Sequence, residues 1–377
     1  MFENTKEFLD SILEMGIPGF DCIAYKDGKE IFRYMNGYRD RENKIPVDAT
    51  EKYNIYSASK PFTCTAALQL WEKGLFSLDD KLSKYIPEFS EMTVQTEEGI
   101  KKAKNEITLL DLFRMTAGFN YATNSPSLQL AKKETAGRCP TVETIKYLAR
   151  EPLSFEPGTR YMYSLCHDVI AALVEIISGK RFGEYVKENI FDVLGMENTT
   201  FDRDSVNDDD IACQFQYNSE TKEYRQISKA ISTYRLGTDY ESGGAGAVST
   251  VNDYIKFLEA LRVGNVVLKK ETIDYMSTNK LTEKQLQTYG NPGYGYGLGM
   301  RTPLSNPLSN FGWGGAAGAH LAIYQKLGVT VFYAQHVLLS PVQPIRRKIG
   351  DIIIKDIFGE PLADITENPS ENKTTLY

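Results

Sequence analysis

Apolar residues recur three and four positions apart near both ends of the chain. The N-terminal stripe consists of Phe8, Leu9, Ile12 and Leu13, and the C-terminal stripe of Ile345, Ile349, Ile352, Ile353 and Ile357. Residues with this spacing lie on one face of a helix. The pattern therefore predicts amphipathic helices over 2–15 and 344–358, and we expect both to pack on one sheet.

Strand-forming residues and turn signals alternate in the first and last parts of the chain. The runs 19–25 and 30–34 flank Asp27-Gly28, a dipeptide typical of tight hairpin turns. We therefore predict a β-hairpin over 19–34. Further antiparallel strands are predicted over 294–301, 320–324 and 328–335.

The middle of the chain, from about Phe76 to Tyr234, shows helical periodicity and loops but little strand alternation. Helices are predicted over 62–73, 108–115, 141–150, 169–178 and 250–261. We expect an α/β (α+β) domain from residues 1–75 and 235–377, an antiparallel sheet flanked by the terminal helices. Residues 76–234 are expected to form an inserted all-α domain, and the polar residues 360–377 a disordered tail.

Composition and charge limit the possible partners. The 377 residues are 42% hydrophobic and 25% charged, as in a globular protein with a sizeable core. The net charge is −7 without any basic block, so we expect no nucleic-acid partner. The first residues lack the order of a secretory signal, and no apolar run approaches the roughly 18 residues needed to cross a bilayer. We therefore expect a cytoplasmic protein without membrane contact.

The sequence offers no signal for a metal or a cofactor. The five cysteines are scattered, odd in number and never in C-x-x-C spacing, which argues against a disulfide framework and a thiolate zinc site. The histidines, His167, His320 and His336, have no clustered partners. We predict no metal and no cofactor. The Gly-x-Ser-x-Gly elbow of α/β-hydrolases is also absent.

One of four Ser-x-x-Lys matches has the setting of an active site. Ser57-Ala58-Ser59-Lys60 lies where a strand-like segment runs into a long apolar helix. The other matches, at 219–222, 277–280 and 370–373, lie among polar residues. Residues three apart on a helix are neighbours, so the Lys60 amine would lie beside the Ser57 hydroxyl. The alternative is a helix cap at Ser57 with a solvated Lys60.

A serine hydroxyl becomes a useful nucleophile only when a neighbouring group takes its proton. A lysine can do so when desolvation or nearby positive charge lowers its pKa towards neutrality. The apolar flank of Tyr56, Pro61 and Phe62 would supply that desolvation at Lys60. The segment therefore suggests an enzyme with a serine nucleophile.

Two further segments carry a family resemblance. Residues 156–164 read Glu-Pro-Gly-Thr-Arg-Tyr-Met-Tyr-Ser, and residues 312–318 read Gly-Trp-Gly-Gly-Ala-Ala-Gly before a strand. In the order and spacing of these motifs the chain resembles the serine β-lactamase and penicillin-binding-protein superfamily, particularly class C enzymes and family VIII carboxylesterases. The likeness spans most of the length and implies a β-lactamase/transpeptidase-like fold.

The resemblance implies a role for each motif. Ser57 would be the acylated nucleophile, Lys60 its base, and Tyr163 the phenol that moves protons to and from the leaving group. The backbone amides of Ser57 and Ala316 would form the oxyanion hole. The resemblance places the substrate beside Trp313, Gly314, Gly315 and Leu165. Tyr121 and His167, which lies four residues after Tyr163, are further candidates for contact with it.

Two positions depart from the family pattern. The second motif usually reads Tyr-x-Asn, but position 165 is Leu, and the third usually begins with Lys, but position 313 is Trp. That lysine normally meets the carboxylate of a β-lactam or peptide terminus, and an indole has no charge to replace it. Arg301 or Lys326 would be able to restore a cationic contact. The Trp-Gly-Gly form resembles the carboxylesterase branch, so we expect neutral esters to be preferred.

The sequence thus predicts a serine hydrolase that cleaves a small-molecule ester, or an amide, through an acyl-enzyme on Ser57. A β-lactamase or D-amino-acid peptidase of the same superfamily is one alternative, and a catalytically inactive binding or scaffold protein is another. A Ser/His/Asp arrangement with His167 and Asp168 is a third, although adjacent helical residues point in different directions. Tyr294 and Tyr296 are further candidates for the pocket wall.

Overall fold

The computed structural model describes residues 1–230 and 234–359. Its helices are α1 Glu3–Glu14, α2 Lys60–Glu72, α3 Leu109–Phe113, α4 Pro126–Glu134, α5 Thr141–Tyr147, α6 Cys166–Ser178, α7 Phe182–Val186, α8 Asp192–Leu194, α9 Val251–Val263, α10 Lys270–Met276, α11 Glu283–Tyr289 and α12 Lys348–Phe358. Its strands are β1 Gly19–Lys26, β2 Lys29–Asp40, β3 Ile45–Pro46, β4 Tyr53–Asn54, β5 Thr93–Thr96, β6 Gly99–Lys102, β7 Gln214–Tyr217, β8 Tyr224–Ile227, β9 Val248–Ser249, β10 Tyr294–Tyr296, β11 Arg301–Pro303, β12 Phe311–Gly314, β13 His320–Tyr324, β14 Val329–Ala334 and β15 Val337–Leu338.

Eight strands form one antiparallel sheet in the order β10-β11-β12-β13-β14-β1-β2-β3. The central pair, β1 and β14, runs in register from Asp21 opposite Ala334 to Lys26 opposite Val329. Every residue of β14 is buried, because helices cover both faces of the sheet. The predicted hairpin is confirmed, and its turn places Asp27 and Gly28 at φ 50° and 81°, the left-handed values that a tight hairpin requires.

The two terminal helices pack together on one face of the sheet, as the sequence predicts. The amide and hydroxyl of Thr5 in α1 donate to Oδ2 of Asp356 in α12, at 2.9 and 2.7 Å. Helix α9 covers the opposite face, where the ring of Tyr254 stacks on Phe332 at 4.1 Å. The predicted sheet with flanking helices is therefore confirmed.

Helices are the commonest regular elements in the segment 76–234, but the expectation of an all-α insertion is wrong in two places. Strands β5 and β6 form a hairpin, and β7 pairs with β8 and, in parallel, with β15. Local periodicity missed β7 because β15, which completes its pairing, lies more than 100 residues later in the chain. The domain division at residues 76 and 235 stays a prediction, and the expected tail at 360–377 lies outside the described residues.

The strand predicted over 294–301 is two short strands, β10 and β11, which pair with each other. Gly299 in the connecting turn has φ 91°, which a side chain would disfavour. None of the helices in residues 1–230 and 234–359 combines the length and apolar character that a membrane crossing requires.

Candidate active site

Ser57 lies in a single 3-10 turn, Tyr56–Ser59, that leads directly into α2. The preceding residue, Tyr56, has φ 48°, a left-handed value that non-glycine residues adopt mainly where the surrounding structure enforces it. Hydrogen bonds hold the residues on both sides of it: the Ile55 amide donates to the Ala247 carbonyl at 3.1 Å, and the Ala247 amide donates to Ser59 Oγ at 3.0 Å. The turn leaves Ser57 partly exposed at the start of a buried helix.

Lys60 is completely buried, one turn beyond Ser57. Its Nζ donates to the Gly244 carbonyl at 2.8 Å and lies 3.3 Å from both Ser57 Oγ and the Tyr121 hydroxyl. Burial lowers the pKa of Lys60 to about 7, against the opposing effect of the Asp168 carboxylate. A large fraction of this amine is therefore neutral at neutral pH and able to accept a proton.

Tyr163 lies immediately before α6 and reaches the same hydroxyl from the other side. Its phenol donates to Ser57 Oγ at 2.5 Å, and Lys60 Nζ lies 4.5 Å from its ring centroid. Burial raises the pKa of Tyr163 well above its ordinary value, although hydrogen bonds to Ser57 and Trp313 oppose the shift. Tyr163 is thus a neutral phenol that can give a proton and recover it.

The segment after β12 runs alongside the Ser57 turn. A Cβ atom on Gly315 would lie 2.2 Å from the Ile55 carbonyl oxygen, so only glycine allows this approach. The next residue, Ala316, packs against Tyr56. Across the described parts of the chain, neither the Ser57 nor the Ala316 amide donates to a protein acceptor. Both amides are therefore able to serve a ligand at the nucleophile.

Aromatic rings line one side of the site. Trp313 stacks on Tyr163 at 5.8 Å, Tyr163 on Tyr121 at 5.3 Å, and Tyr234 meets the rings of Tyr121 and Tyr56 edge-on at 5.6 and 5.7 Å. We call these five residues the aromatic wall. Tyr296 supports it from behind, since it packs edge-on against Trp313 at 5.1 Å and is completely buried. Tyr294 lies further out, under the Arg301 guanidinium.

A cavity of about 390 Å³ opens beside Tyr121. It is lined by Tyr121, Ala122, Thr123, Asn124, Leu128, Gln129, Lys132, Arg235 and Leu236. Because Tyr121 contacts Lys60 on its inner side, the cavity begins at the edge of the proposed reaction centre.

Two predicted pocket residues belong to the interior instead. The ring nitrogens of His167 face the Cys64 thiol and the Phe113 carbonyl, and burial lowers the pKa of His167 to about 3. Leu165 is only 4% exposed and packs in the helical core. Both lie at the start of α6, where the inward-facing positions meet α2 and α3 rather than the cleft.

The structure does not form the Ser/His/Asp arrangement, because His167 and Asp168 have separate partners. Asp168 accepts hydrogen bonds from the Tyr240 and Ser242 hydroxyls at 3.0 and 2.7 Å, whereas His167 turns towards Cys64. The two neighbours therefore point in different directions, as the helical geometry dictates. Asp168 is a buried carboxylate whose charge acts on Lys60.

The cation near the third motif is a residue that the sequence pattern did not indicate. Arg301 is buried, with its guanidinium over the Tyr294 ring and a hydrogen bond to Asn310, and Lys326 lies just beyond the far end of β13. Instead, Arg346 Nη1 donates to the Gly315 carbonyl at 2.7 Å. Its position just before α12, about 30 residues beyond the motif, leaves no local signal in the sequence.

The segment Ser242–Gly246 is a second element whose role the sequence did not indicate. It forms a tight turn, with the Gly246 amide donating to the Ser242 carbonyl at 2.8 Å. The carbonyls of Gly243 and Gly244 accept from the Thr63 hydroxyl and from Lys60 Nζ, at 2.6 and 2.8 Å. The turn thus holds the lysine in place, and its glycine-rich composition was the only available signal.

Known proteins share this arrangement of elements. The sequence profile of the Beta-lactamase family matches residues 4–348. The human serine beta-lactamase-like protein LACTB, mitochondrial, is 26% identical over 317 residues, which are 70% of this chain but only 56% of the human protein. Esterase EstB of Burkholderia gladioli is 24% identical over 86% of this chain and 87% of its own length.

Among solved structures, EstCE1, described as a hydrolase with promiscuous acyltransferase activity, superimposes with a TM-score of 0.76. It is 23% identical, and the match covers 93% of this chain and 98% of EstCE1, so the likeness concerns the fold. The family profile, by contrast, covers far more than half of the sequence. This chain belongs to the Beta-lactamase family.

Proposed function

We propose that this protein hydrolyses small esters through an acyl-enzyme on Ser57. One observation carries the proposal: the Ser57 hydroxyl lies between a lysine whose pKa is about 7, at 3.3 Å, and a neutral phenol, at 2.5 Å. A binding or scaffold protein has no need of a buried amine that is poised to lose its proton. Similarity to Esterase EstB of Burkholderia gladioli supports the same reaction class.

In the proposed reaction, Ser57 Oγ attacks the ester carbonyl while its proton passes to neutral Lys60. Negative charge on the carbonyl oxygen is stabilised by the amides of Ser57 and Ala316, an arrangement of donors that often contributes most to catalysis. The C–O bond breaks as the Tyr163 phenol gives its proton to the departing alkoxide, and the Lys60 ammonium restores that proton. Water then attacks the acyl-enzyme by the same route in reverse and releases the acid.

The walls of the site favour an uncharged substrate. The aromatic wall places Trp313 where related enzymes have a lysine, and an indole offers one N–H donor but no charge. Leu165, where those enzymes have an asparagine, is buried and offers no amide to a β-lactam side chain. We therefore propose that neutral esters react well and that anionic β-lactams react poorly.

The five buried thiols fit a reducing compartment such as the cytoplasm.

Hydrolysis of p-nitrophenyl butyrate by the wild type and by Ser57→Ala tests the proposal. We expect the variant to lose nearly all activity and to escape labelling by a fluorophosphonate, which should otherwise modify Ser57. Ser277→Ala is the matched control, because it removes the serine of another Ser-x-x-Lys match in a loop. Full activity in Ser57→Ala would refute the mechanism, and rapid hydrolysis of nitrocefin would refute the substrate preference.

A further inference from the structure

The carbonyl oxygen of the Gly315–Ala316 peptide binds a cation, the guanidinium of Arg346. The Gly315 carbonyl accepts two hydrogen bonds, from the Gly318 amide at 3.1 Å and from Arg346 Nη1 at 2.7 Å. In a trans peptide the C=O and N–H groups point in opposite directions. The bond to Arg346 on one side therefore directs the Ala316 N–H to the other side, where the Ser57 turn lies.

The charge on Arg346 is not neutralised by a carboxylate. In the part of the chain that the structure describes, Arg346 has no ion pair, and its neighbours Arg301 and Arg347 are also cationic. Burial lowers the pKa of Arg346 to about 10, so the guanidinium stays charged at neutral pH. Arg346 is only partly buried, but a cation that is withdrawn from water without an ionic partner still disfavours folding, which points to a use for its charge.

A neutral donor would be sufficient if the contact only fixed the backbone. The next carbonyl shows this, because Ala316 accepts from the side-chain amide of Gln343 at 2.8 Å. Gln343 and Arg346 lie three positions apart and bind successive carbonyls of the same segment. The side chain of Arg346 is charged, whereas that of Gln343 is neutral. The charged donor is the one bound to the peptide whose N–H faces the nucleophile.

We propose that Arg346 is a positioning residue that orients and polarises the Ala316 amide as an oxyanion donor. A cation at a peptide oxygen withdraws electron density from the peptide nitrogen, which makes its N–H a stronger donor. The benefit is largest when the ester oxygen becomes negative, so the effect belongs to the transition state rather than to substrate binding. This inference rests on the proposed function, because it assumes that Ser57 is acylated.

The test compares Arg346→Gln, which keeps a donor without charge, with Arg346→Lys, which keeps the charge. Complete loss of an oxyanion donor costs about a hundred- to a thousand-fold in rate, and a weakened donor should cost less. We expect Arg346→Gln to lower kcat for p-nitrophenyl butyrate, and the rate constant of fluorophosphonate inactivation, by about tenfold with KM within about twofold. Arg346→Lys should recover part of both losses.

Arg347→Gln is the matched control, since it removes a neighbouring cation whose guanidinium bonds to the Asn291 side chain at 3.1 Å. We expect this variant to retain kcat within about twofold. The inference is overturned if Arg346→Gln retains full kcat, if it changes only KM, or if Arg347→Gln loses as much. A wild type that neither hydrolyses the ester nor reacts with the fluorophosphonate overturns the proposed function and, with it, this inference.

Discussion

The chemistry proposed for Ser57 depends on the protonation state of a single buried amine. Lys60 has to be neutral to accept the serine proton, and burial is the main reason why its pKa is about 7 instead of 10.5. The carboxylate of Asp168 limits this shift, because it stabilises the ammonium form. The two opposing effects leave Lys60 close to the value at which a general base works best near neutral pH.

The value of kcat/KM for ester hydrolysis should therefore rise as the pH increases through about 7 and level off above it. Below that pKa, each pH unit should lower kcat/KM about tenfold, because the ammonium form has no lone pair for the serine proton. The measurement is a pH profile with p-nitrophenyl butyrate, with Ser57→Ala as the background and tryptophan fluorescence as a check on folding. A flat profile from about pH 5 to pH 9 would show that Lys60 is not the base.

Two stacked tyrosines near Ser57 allow a matched comparison of phenols. Tyr163→Phe should lower kcat by about a hundred- to ten-thousand-fold, because it removes the proton donor that contacts Ser57 Oγ. Tyr121→Phe keeps the same stack and removes only a hydroxyl that lies 3.3 Å from Lys60 Nζ. We expect a loss below about tenfold for that variant. Equal losses would mean that Tyr163 acts through packing and not through its proton.

The site residues differ in how far they can be predicted from the sequence. Ser57 and Lys60 share one turn, so their contact follows from local geometry, and the resemblance located Tyr163. The charge that acts on Gly315 comes from Arg346, and the carbonyl that holds Lys60 comes from Gly244. These contacts join segments that are distant in the chain, and helical or strand periodicity carries no information about them.

At the scale of elements, the proposed active site lies between the end of β12 and the turn before α2. The segment after β12 approaches that turn so closely that Gly315 has no room for a side chain. Alanine at position 315 would push the segment that carries the Ala316 amide away from Ser57, or it would open the turn that carries Ser57. We therefore expect the backbone packing at this contact to affect the proposed catalysis.

Gly315→Ala should lower stability by about 1–3 kcal/mol, as overpacking does, and should also abolish most ester hydrolysis. Gly74→Ala is the control, because Gly74 has φ 70° and open space around it, at the end of α2 away from β12. Its left-handed backbone makes alanine unfavourable by about 1–2 kcal/mol without any change at the site. Urea unfolding and kcat together distinguish the two variants. Normal activity in Gly315→Ala would show that this backbone contact does not affect catalysis.

Elements with strong local patterns can be predicted from the sequence, and very short strands without such a pattern cannot. The hairpin of β1 and β2 has a turn dipeptide between two strand-forming runs, and α12 has a clear apolar stripe. Strand β7 is four residues long and is stabilised by pairing with β8 and with the distant β15. Such pairing depends on the whole fold, because short strands have weak intrinsic preferences.

At the scale of the whole molecule, the two ends of the described chain stabilise the sheet together. Helix α1 lies against α12, and Asp356 accepts hydrogen bonds from the Thr5 amide, the Thr5 hydroxyl and the Asn4 side chain. The carboxylate therefore satisfies a donor at the start of α1 that its own helix leaves unpaired. These contacts lie on the face of the sheet opposite α9. We therefore expect their loss to change the free energy of unfolding more than the rate of ester hydrolysis.

Asp356→Ala should lower the free energy of unfolding by about 1–2 kcal/mol, the usual cost of losing a helix cap, and leave kcat nearly unchanged. Hydrogen bonds from Asn4 and Thr5 hold the pKa of Asp356 below its ordinary value despite partial burial, so its contribution persists above the unfolded pKa. That contribution disappears as the pH falls through the lower, folded pKa. Urea unfolding at neutral and acidic pH measures the difference, and Lys355→Ala, an exposed neighbour, should change stability by less than about 0.5 kcal/mol. A loss of kcat in Asp356→Ala at unchanged stability would mean that the chain ends act on the active site directly.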